Sequence, residues 1–318
     1  MFFKILMKWL ILITILISIS CNSWFIYWLM MEMNLLFFIP ILNKKKISDS
    51  NSMITYFVIQ SFSSTIFMMS ALMFLFTGMM KMLIIISMMI KLAIIPFHFW
   101  MISMSEMLNF DSLFLILSFQ KFIPMYILSK YNHPYLMVFA LISSIMGSMM
   151  ALNSKMIKKM LIFSSISHQG WMIMLFLMKS KFWFMYLTMY TFLIFKITKL
   201  MKMLKFNYIS NFSNSNMNSW NKISLITMMM SLGGMPPFIG FFMKIISILI
   251  LLTNLNFSII ILIISSMINI YFYLNSIQPY FMINLIKFKI ILNKMMLKNF
   301  FLNLNMFFIL FLLNLTIF

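Results

Sequence analysis

The chain has 318 residues, of which 64% are hydrophobic and 9% charged, with a mean hydropathy of +1.03. An ordinary globular domain is about 25% charged, so there is too little polar surface here for a water-soluble body, and the class is a polytopic membrane protein. The net charge of +20 comes from 24 lysines, with no arginine, against Glu32, Asp49, Glu106 and Asp111. In a soluble protein that balance would suggest nucleic acid, but no polar domain exists to present the lysines, and nucleic acid is excluded as a partner.

A membrane span needs about 20 predominantly apolar residues. On that rule eleven spans are predicted, at about 3–20, 24–42, 54–78, 80–101, 112–129, 134–152, 157–178, 182–201, 222–252, 257–280 and 300–318. The runs are long and do not alternate with period two, which makes them helices rather than barrel strands. The first, with Lys4 and Lys8 ahead of an apolar run ending at Ser20-Cys21, faintly resembles a lipoprotein signal but reads more simply as a transmembrane helix. The second contains Glu32, the fourth Lys91, Pro96 and His98, and the fifth Lys121. The seventh contains His168, the eighth Lys196 near its end, and the ninth Lys244. The polar stretches Asn43–Ser52, Asn207–Asn221 and about Lys287–Asn299 are too short to be domains.

Most lysines report topology. With the N-terminus and every even-numbered loop on one side, that side collects Lys4, Lys8, Lys44 to Lys46, Lys155, Lys158, Lys159, Lys199, Lys202, Lys205, Lys222, Lys287, Lys289, Lys294 and Lys298. The other side receives only Lys81, Lys130, Lys179 and Lys181. Such a bias places the N-terminus on the cytoplasmic or matrix side and, for an odd span count, the C-terminus opposite.

Lys91, Lys121, Lys196 and Lys244 remain inside spans, together with Glu32 and His168. A charge near the centre of a span costs about 2.5–3.5 kcal/mol on insertion scales, so such groups face water, one another or the bundle interior. The bland readings are a snorkelling lysine stem, most natural for Lys196, an interhelical hydrogen bond for His168, an interfacial role for His98 beside Trp100, and a packing ion pair for Glu32. Two of these spans carry helix breakers: Pro96 lies five residues after Lys91, and Gly233, Gly234, Pro236, Pro237 and Gly240 precede Lys244. Proline removes a backbone donor and clashes with the carbonyl four residues back. Broken backbone at membrane depth is tolerated where it is buried in protein or lines a wet cavity.

The arrangement repeats. Counted in fives, each set of spans has an ionisable group in its second helix, Glu32 or His168, and a lysine in a broken fourth, Lys91 or Lys244. Five is odd, so two such units have opposite topology, which is the pattern of an inverted-repeat transporter. The predicted organisation is a first five-helix unit at 1–130, an inverted second unit at 131–281, and a basic linker with a last helix at 282–318. The single cysteine, Cys21, excludes an internal disulfide and a cysteine-ligated cluster, and no metal or nucleotide motif is present, so neither metal nor cofactor is expected in this chain. The abundance of Met, Phe, Ile, Asn and Lys points to A/T-rich codons, as in an organelle genome.

The motifs NSWFIYWLMMEMNLLFFIPIL around Glu32, KLAIIPFHFW around Lys91, SFQKFIPM around Lys121, KKMLIFSSISHQGWM around His168, SLGGMPPFIGFFMKI with Lys244, and INIYFYL closely resemble one family. It is the chain 2 family among the antiporter-like membrane subunits of mitochondrial NADH–ubiquinone oxidoreductase, respiratory complex I. The match runs from residue 22 to about residue 275. The resemblance implies a proton-translocating subunit without a redox centre, in which Glu32, Lys91, Lys121 and Lys244 form a hydrated polar axis. In it Glu32 and Lys91 switch between associated and separated states, Lys121 is the central relay, and Lys244 leads toward an outlet or the next subunit. His168 is placed among the connecting groups, and His98 is carried as a further candidate relay. It also implies partner subunits bearing NADH, FMN, iron–sulfur and ubiquinone sites, contact with membrane lipids, and the mitochondrial inner membrane, with the N-terminus in the matrix and the C-terminus on the intermembrane side. Lys158-Lys159 stands where the family more usually has Arg-Lys. Two other readings stay open on the residues alone: a stand-alone cation/proton antiporter, and a structural membrane subunit with no proton path.

Overall fold

The computed structural model describes residues 2–42, 47–77, 81–131, 133–212, 219–253 and 256–284. The eleventh predicted span, Lys44 to Lys46, and the basic segment with Lys287, Lys289, Lys294 and Lys298 lie outside these residues.

Among the described residues the chain is helical, with no strand beyond one isolated bridge between Met156 and Tyr208. In chain order the helices are α1 (Phe2–Ser20), α2 (Trp24–Leu42), α3 (Ile47–Thr77), α4 (Lys81–Leu92), α5 (Phe99–Met104), α6 (Phe110–Leu117) and α7 (Phe119–Lys130). They continue as α8 (Tyr135–Leu152), α9 (Ile157–Leu177), α10 (Phe182–Leu204), α11 (Ser219–Gly233), α12 (Ile239–Leu251) and α13 (Asn256–Asn284). Eight helical stretches are long and apolar enough to cross a membrane, residues 110–130 counted as one. The other two predicted spans before residue 281 are the ones with breakers, and each is divided: α4 from α5 around Pro96, and α11 from α12 between Gly233 and Ile239.

The two breaks begin with the same hydrogen bonds. The Ala93 N–H donates to the Ile90 carbonyl and the Ile94 N–H to Met89; the Gly234 N–H donates to Ser231 and the Met235 N–H to Met230. This is the Schellman arrangement, which puts one residue in the left-handed region. That residue is Ala93 at φ 57° in the first break and Gly234 at φ 83° in the second.

A third break falls at Ser118, between α6 and α7, within a span expected to be continuous. Its hydroxyl and its N–H both return to the Phe114 carbonyl. Pro124, inside α7 one and a half turns further on, cannot donate to the carbonyl of Gln120. That proline is the feature of the sequence that could have flagged the irregularity.

The bundle has an apolar core and, unlike a soluble protein, an apolar outer face as well. Along α13, Phe257, Ile260, Ile264, Met267 and Tyr271 are exposed at three- and four-residue spacing, while Ser265, Asn269, Tyr273 and Ser276 are buried on the other face. The apolar stripe suits lipid, and the small and polar side chains mediate helix contacts. α9 is the central helix, buried along almost its whole length and packed by α5, α6 and α7 on one side and α8, α10, α12 and α13 on the other. Its contact with α8 is the most extensive in the molecule. Ser143, Gly147 and Ala151 repeat every four residues on α8, and a methyl at Gly147 would come within 2.9 Å of the Ser167 nitrogen. Small residues at that spacing let the backbones approach closely.

Candidate functional site

Three of the lysines within the spans, Lys91, Lys121 and Lys244, sit beside the breaks. Glu32 projects from the middle of α2 and accepts a short hydrogen bond from the Ser64 hydroxyl of α3. One turn before Ser64, the Gln60 carbonyl accepts from Lys91 Nζ at 3.3 Å. Lys91 lies in the last turn of α4, where the negative end of the helix dipole favours a cation. The other freed carbonyls of that end are covered: Trp100 Nε1 donates to Ile90 at 3.1 Å and Gln169 Nε2 of α9 donates to Leu92 at 3.0 Å. Glu32 and Lys91 do not form an ion pair here, since the two ion pairs among the described residues are Lys159–Glu106 and Lys202–Asp111. The carboxylate charge nevertheless acts on the ammonium.

Lys91 and Lys121 line one small cavity with Tyr56, Gln60, Trp100 and Gln120. Its volume is about 10 Å³, at the lower limit for one water. Tyr56 donates to the Gln120 side-chain oxygen at 3.1 Å, and Gln120 donates to Asn34 at 3.0 Å, so a polar chain also runs from the cavity to α2.

Lys121 differs from Lys91 in its surroundings. It lies in the first turn of α7, the positive end of that helix, and its buried Nζ has no hydrogen-bond acceptor among the described residues. Its nearest electrostatic support is the ring of Tyr190 on α10, whose centroid is 5.7 Å away. Burial without an acceptor leaves this ammonium without compensation for the water it has lost.

His168, buried on α9, hydrogen-bonds through Nδ1 with the Tyr186 hydroxyl at 2.8 Å, and its ring packs 5.2 Å from that of Tyr190. The ring also lies near the Leu232 carbonyl of α11, but Nε2 completes no hydrogen bond. Asn269 and Tyr273 of α13 bring further buried polar atoms to α9, Asn269 donating to Ser167 at 3.0 Å.

Lys244, on α12, folds back over the second break and donates to the Gly233 carbonyl at 2.7 Å. That carbonyl ends α11, so the ammonium again meets the negative end of a helix dipole. The space exists because residue 234 has no side chain: a Cβ there would stand 2.8 Å from Nζ.

The remaining sequence candidates lie elsewhere. His98 is buried beyond the first break, with Nδ1 3.2 Å from the Pro96 carbonyl and Nε2 unpartnered, and it does not line the cavity of Lys91 and Lys121. Lys196 rests along its own helix, its Nζ 4.5 Å from the centre of the Phe192 ring. Lys158, counted with the loop lysines, is buried in the first turn of α9 with Nζ 5.5 Å from the Phe110 ring centre. The connection from α8 to α9 is only four residues long, so α9 enters the protein interior at once. Sequence reasoning missed Gln60, Ser64, Tyr56, Gln120 and Tyr190. They are uncharged residues on apolar helices, and only the chain folding brings them to the lysines. Among the described residues no group of three His, Cys, Asp or Glu side chains is placed to hold a metal.

Helices sized for a bilayer, two spans broken in the same way, and buried lysines that meet those breaks define an antiporter-like membrane module. Residues 21–273 match the family described as NADH:quinone oxidoreductase/Mrp antiporter, transmembrane region. The NADH-ubiquinone oxidoreductase chain 2 of Rhipicephalus sanguineus is 46% identical over 97% of this chain and 99% of its own length. Among solved structures, a chain of respiratory complex I from Thermus thermophilus superimposes with a TM-score of 0.77 at 18% identity, covering 88% of this chain and 70% of that one. A chain of the Mrp complex from a Dietzia species gives 0.75 at 15% identity, covering 86% and 58%. The chain belongs to the NADH-ubiquinone oxidoreductase chain 2 family.

Proposed function

We propose that the chain is a core membrane subunit of a proton-pumping NADH–ubiquinone oxidoreductase in the mitochondrial inner membrane. It carries protons along Glu32, Lys91, Lys121, His168 and Lys244, driven by redox chemistry on the NADH, flavin, iron–sulfur and ubiquinone sites of partner subunits. The observation that carries this reading is the meeting of Lys91 and Lys121 on one cavity. The N-terminus lies in the matrix and the C-terminus in the intermembrane space, as the lysine distribution suggests.

The residues support a sequence of proton positions. With Glu32 held by Ser64, Lys91 has the Gln60 carbonyl as its only hydrogen-bond partner among the described residues. Release of Glu32 toward Lys91 would favour the ammonium; its return to Ser64 withdraws that support. A proton leaving Lys91 has Lys121 across the cavity, whose volume is at the lower limit for one water. Lys121 has no acceptor to hold the charge, whereas Lys244 has the Gly233 carbonyl and the end of α11. The charge therefore finds its firmer rest at Lys244. Each proton moved across the membrane works against about 2.3 kcal/mol per 100 mV, and that energy comes from the partners.

In the assembled enzyme, Lys121→Met should leave assembly intact while reducing proton pumping and coupled turnover by at least tenfold. Pumping and turnover per assembled complex at the wild-type level would overturn the reading and leave a structural subunit. Cation-dependent transport by the chain alone would instead favour a stand-alone antiporter.

A further inference from the structure

A second cavity, unrelated to the proton groups, opens on the outside of the bundle between α1, α6 and α10, with a volume of about 450 Å³. Its rim holds Lys8 of α1 and Lys199 and Lys202 of α10, and its walls are built mainly from Trp9, Leu12, Phe114, Phe119 and Phe195. Asp111, in the first turn of α6, pairs with Lys202 at 2.5 Å. Lys8 and Lys199 form no ion pair among the described residues.

The polar and apolar parts are separated by depth. α6 begins and α10 ends at the basic rim, so residue order along each measures distance from it, while on α1 Ile5 precedes Lys8, Trp9 adjoins it and Leu12 lies one turn further in. At 1.5 Å per residue, Phe195 lies roughly 10 Å deeper than Lys202, and Phe119 roughly 12 Å deeper than Asp111. Trp9 is well exposed and Phe195 half exposed on this outer face, where a bilayer would lie. The site thus has a cationic end near the helix termini and an apolar part running inward, its volume of about 450 Å³ well below the roughly 900 Å³ that a helix about 10 Å across would fill over a depth of about 12 Å. A further transmembrane helix, about 10 Å or more across, fits it less well than a chain of methylenes does.

We propose that this groove is a binding site for an anionic phospholipid, its phosphate held by Lys8 and Lys199 and an acyl chain laid against Leu12, Phe119 and Phe195. The excess positive charge over Asp111 selects the anionic head group, and the aromatic walls hold the tail. Occupancy ties α1 to α6 and α10. The proposal needs only that the chain lies in a bilayer, and it stands or falls independently of the proton path.

The test uses the full chain within the assembled complex, reconstituted in phosphatidylcholine vesicles that contain a minor fraction of brominated lipid. Bromine on the acyl chain quenches nearby indoles, and the contribution of Trp9 is isolated by difference from a Trp9→Phe variant. Brominated phosphatidylglycerol should quench Trp9 several-fold more effectively than brominated phosphatidylcholine. Juxtamembrane lysines contribute about fivefold each, so Lys8→Gln with Lys199→Gln should bring the two lipids close to parity, and raised salt should narrow the gap. Equal quenching by both lipids in the wild type would overturn the proposal. So would an absence of quenching at Trp9, which would mean that another polypeptide covers the groove. Displacement of the brominated lipid by inorganic phosphate alone would also overturn it, because the tail would then contribute nothing.

Discussion

The two broken spans use nearly the same backbone for opposite purposes. In both, a helix ends in a left-handed residue, and its last carbonyls are left without intrahelical donors. In the first, the lysine lies before the break: Lys91 points away from the end of its own helix to the Gln60 carbonyl of α3, and Trp100 and Gln169 cover the freed carbonyls. In the second, the lysine lies after the break, and Lys244 itself covers the freed Gly233 carbonyl. Lys91 therefore reaches a carbonyl on another helix, while Lys244 is tied to the carbonyl at the break itself. One backbone motif presents its lysine in two ways, according to the side of the break from which the lysine comes.

The strongest way to break the second site is steric. A Cβ at Gly240 would stand 1.8 Å from the Ser231 carbonyl oxygen, and backbone cannot yield as a side-chain tip does. Gly240→Ala should separate α12 from α11 and cost more than about 3 kcal/mol, at the upper end of overpacking effects, seen as loss of assembled complex on native gels. Gly233→Ala is the control, because its nearest contact would be the edge of Tyr273 at an ordinary 3.4 Å. If both variants assemble equally well, the tight crossing does not hold the second break together.

At the first break the vulnerable element is Gln169. Gln169→Leu would leave the buried Leu92 carbonyl without its donor, a loss of about 1–3 kcal/mol, measured as a lowered melting temperature of the complex. Lys91 should respond as well, because the end of α4 is then less firmly placed, so turnover should fall together with stability. A stability loss with unchanged turnover would show that Gln169 only fastens the helix. The second break has no residue in this role, because its lysine fills it.

Left-handed geometry separates the two breaks next. Ala93 occupies a region that costs a side chain about 1–2 kcal/mol, and Gly234 avoids that cost. Ala93→Gly should therefore be neutral or stabilising by up to about 1 kcal/mol once the extra freedom of glycine in the unfolded chain is subtracted. Gly234→Ala should destabilise by about 1–2 kcal/mol and, by crowding the Lys244 ammonium, depress pumping more than stability. Equal effects at the two positions would contradict the assignment of the second break to Lys244.

The unequal legibility of these features has a physical basis. Pro96 and the cluster from Gly233 to Pro237 announced their breaks because each residue type acts on the backbone directly. The lysines stood out because charge is costly in an apolar span. Ser118 gave no such signal, being a small residue whose hydroxyl is at home in a helix, and α6 and α7 read as one run. Gln60, Ser64 and Tyr190 were invisible for a related reason: their importance comes from which helices meet, and that is decided by close packing such as Gly147 against Ser167. Lys158 was misplaced because sequence gives the position of a loop but not how abruptly the next helix is buried. The parallel between the two lysines was visible, but that they stand on opposite sides of their breaks became meaningful only once the hydrogen bonds were known.

The smallest expected effect lies beyond the first broken span, where the loop after α5 is tied to α9 by Glu106 and Lys159 at 2.7 Å. Neither ion pair among the described residues touches α11 or α12, so this tether has no counterpart at the second break. The hydrogen bond from Lys159, and then its charge, hold the Glu106 carboxyl below the usual carboxylate range. A lowered folded-state value means that the stabilisation is present above the unfolded pKa and is lost as pH falls through the folded one. Glu106 is about half exposed, so the contribution at neutral pH should be below about 1 kcal/mol and should shrink with salt. Melting temperatures of the wild-type complex and of Lys159→Met should differ slightly near neutral pH and converge under acid conditions that protonate Glu106. A difference that persists in acid, or grows there, would mean that Lys159 holds the loop by packing its stem, and that the first break is anchored by contacts rather than charge.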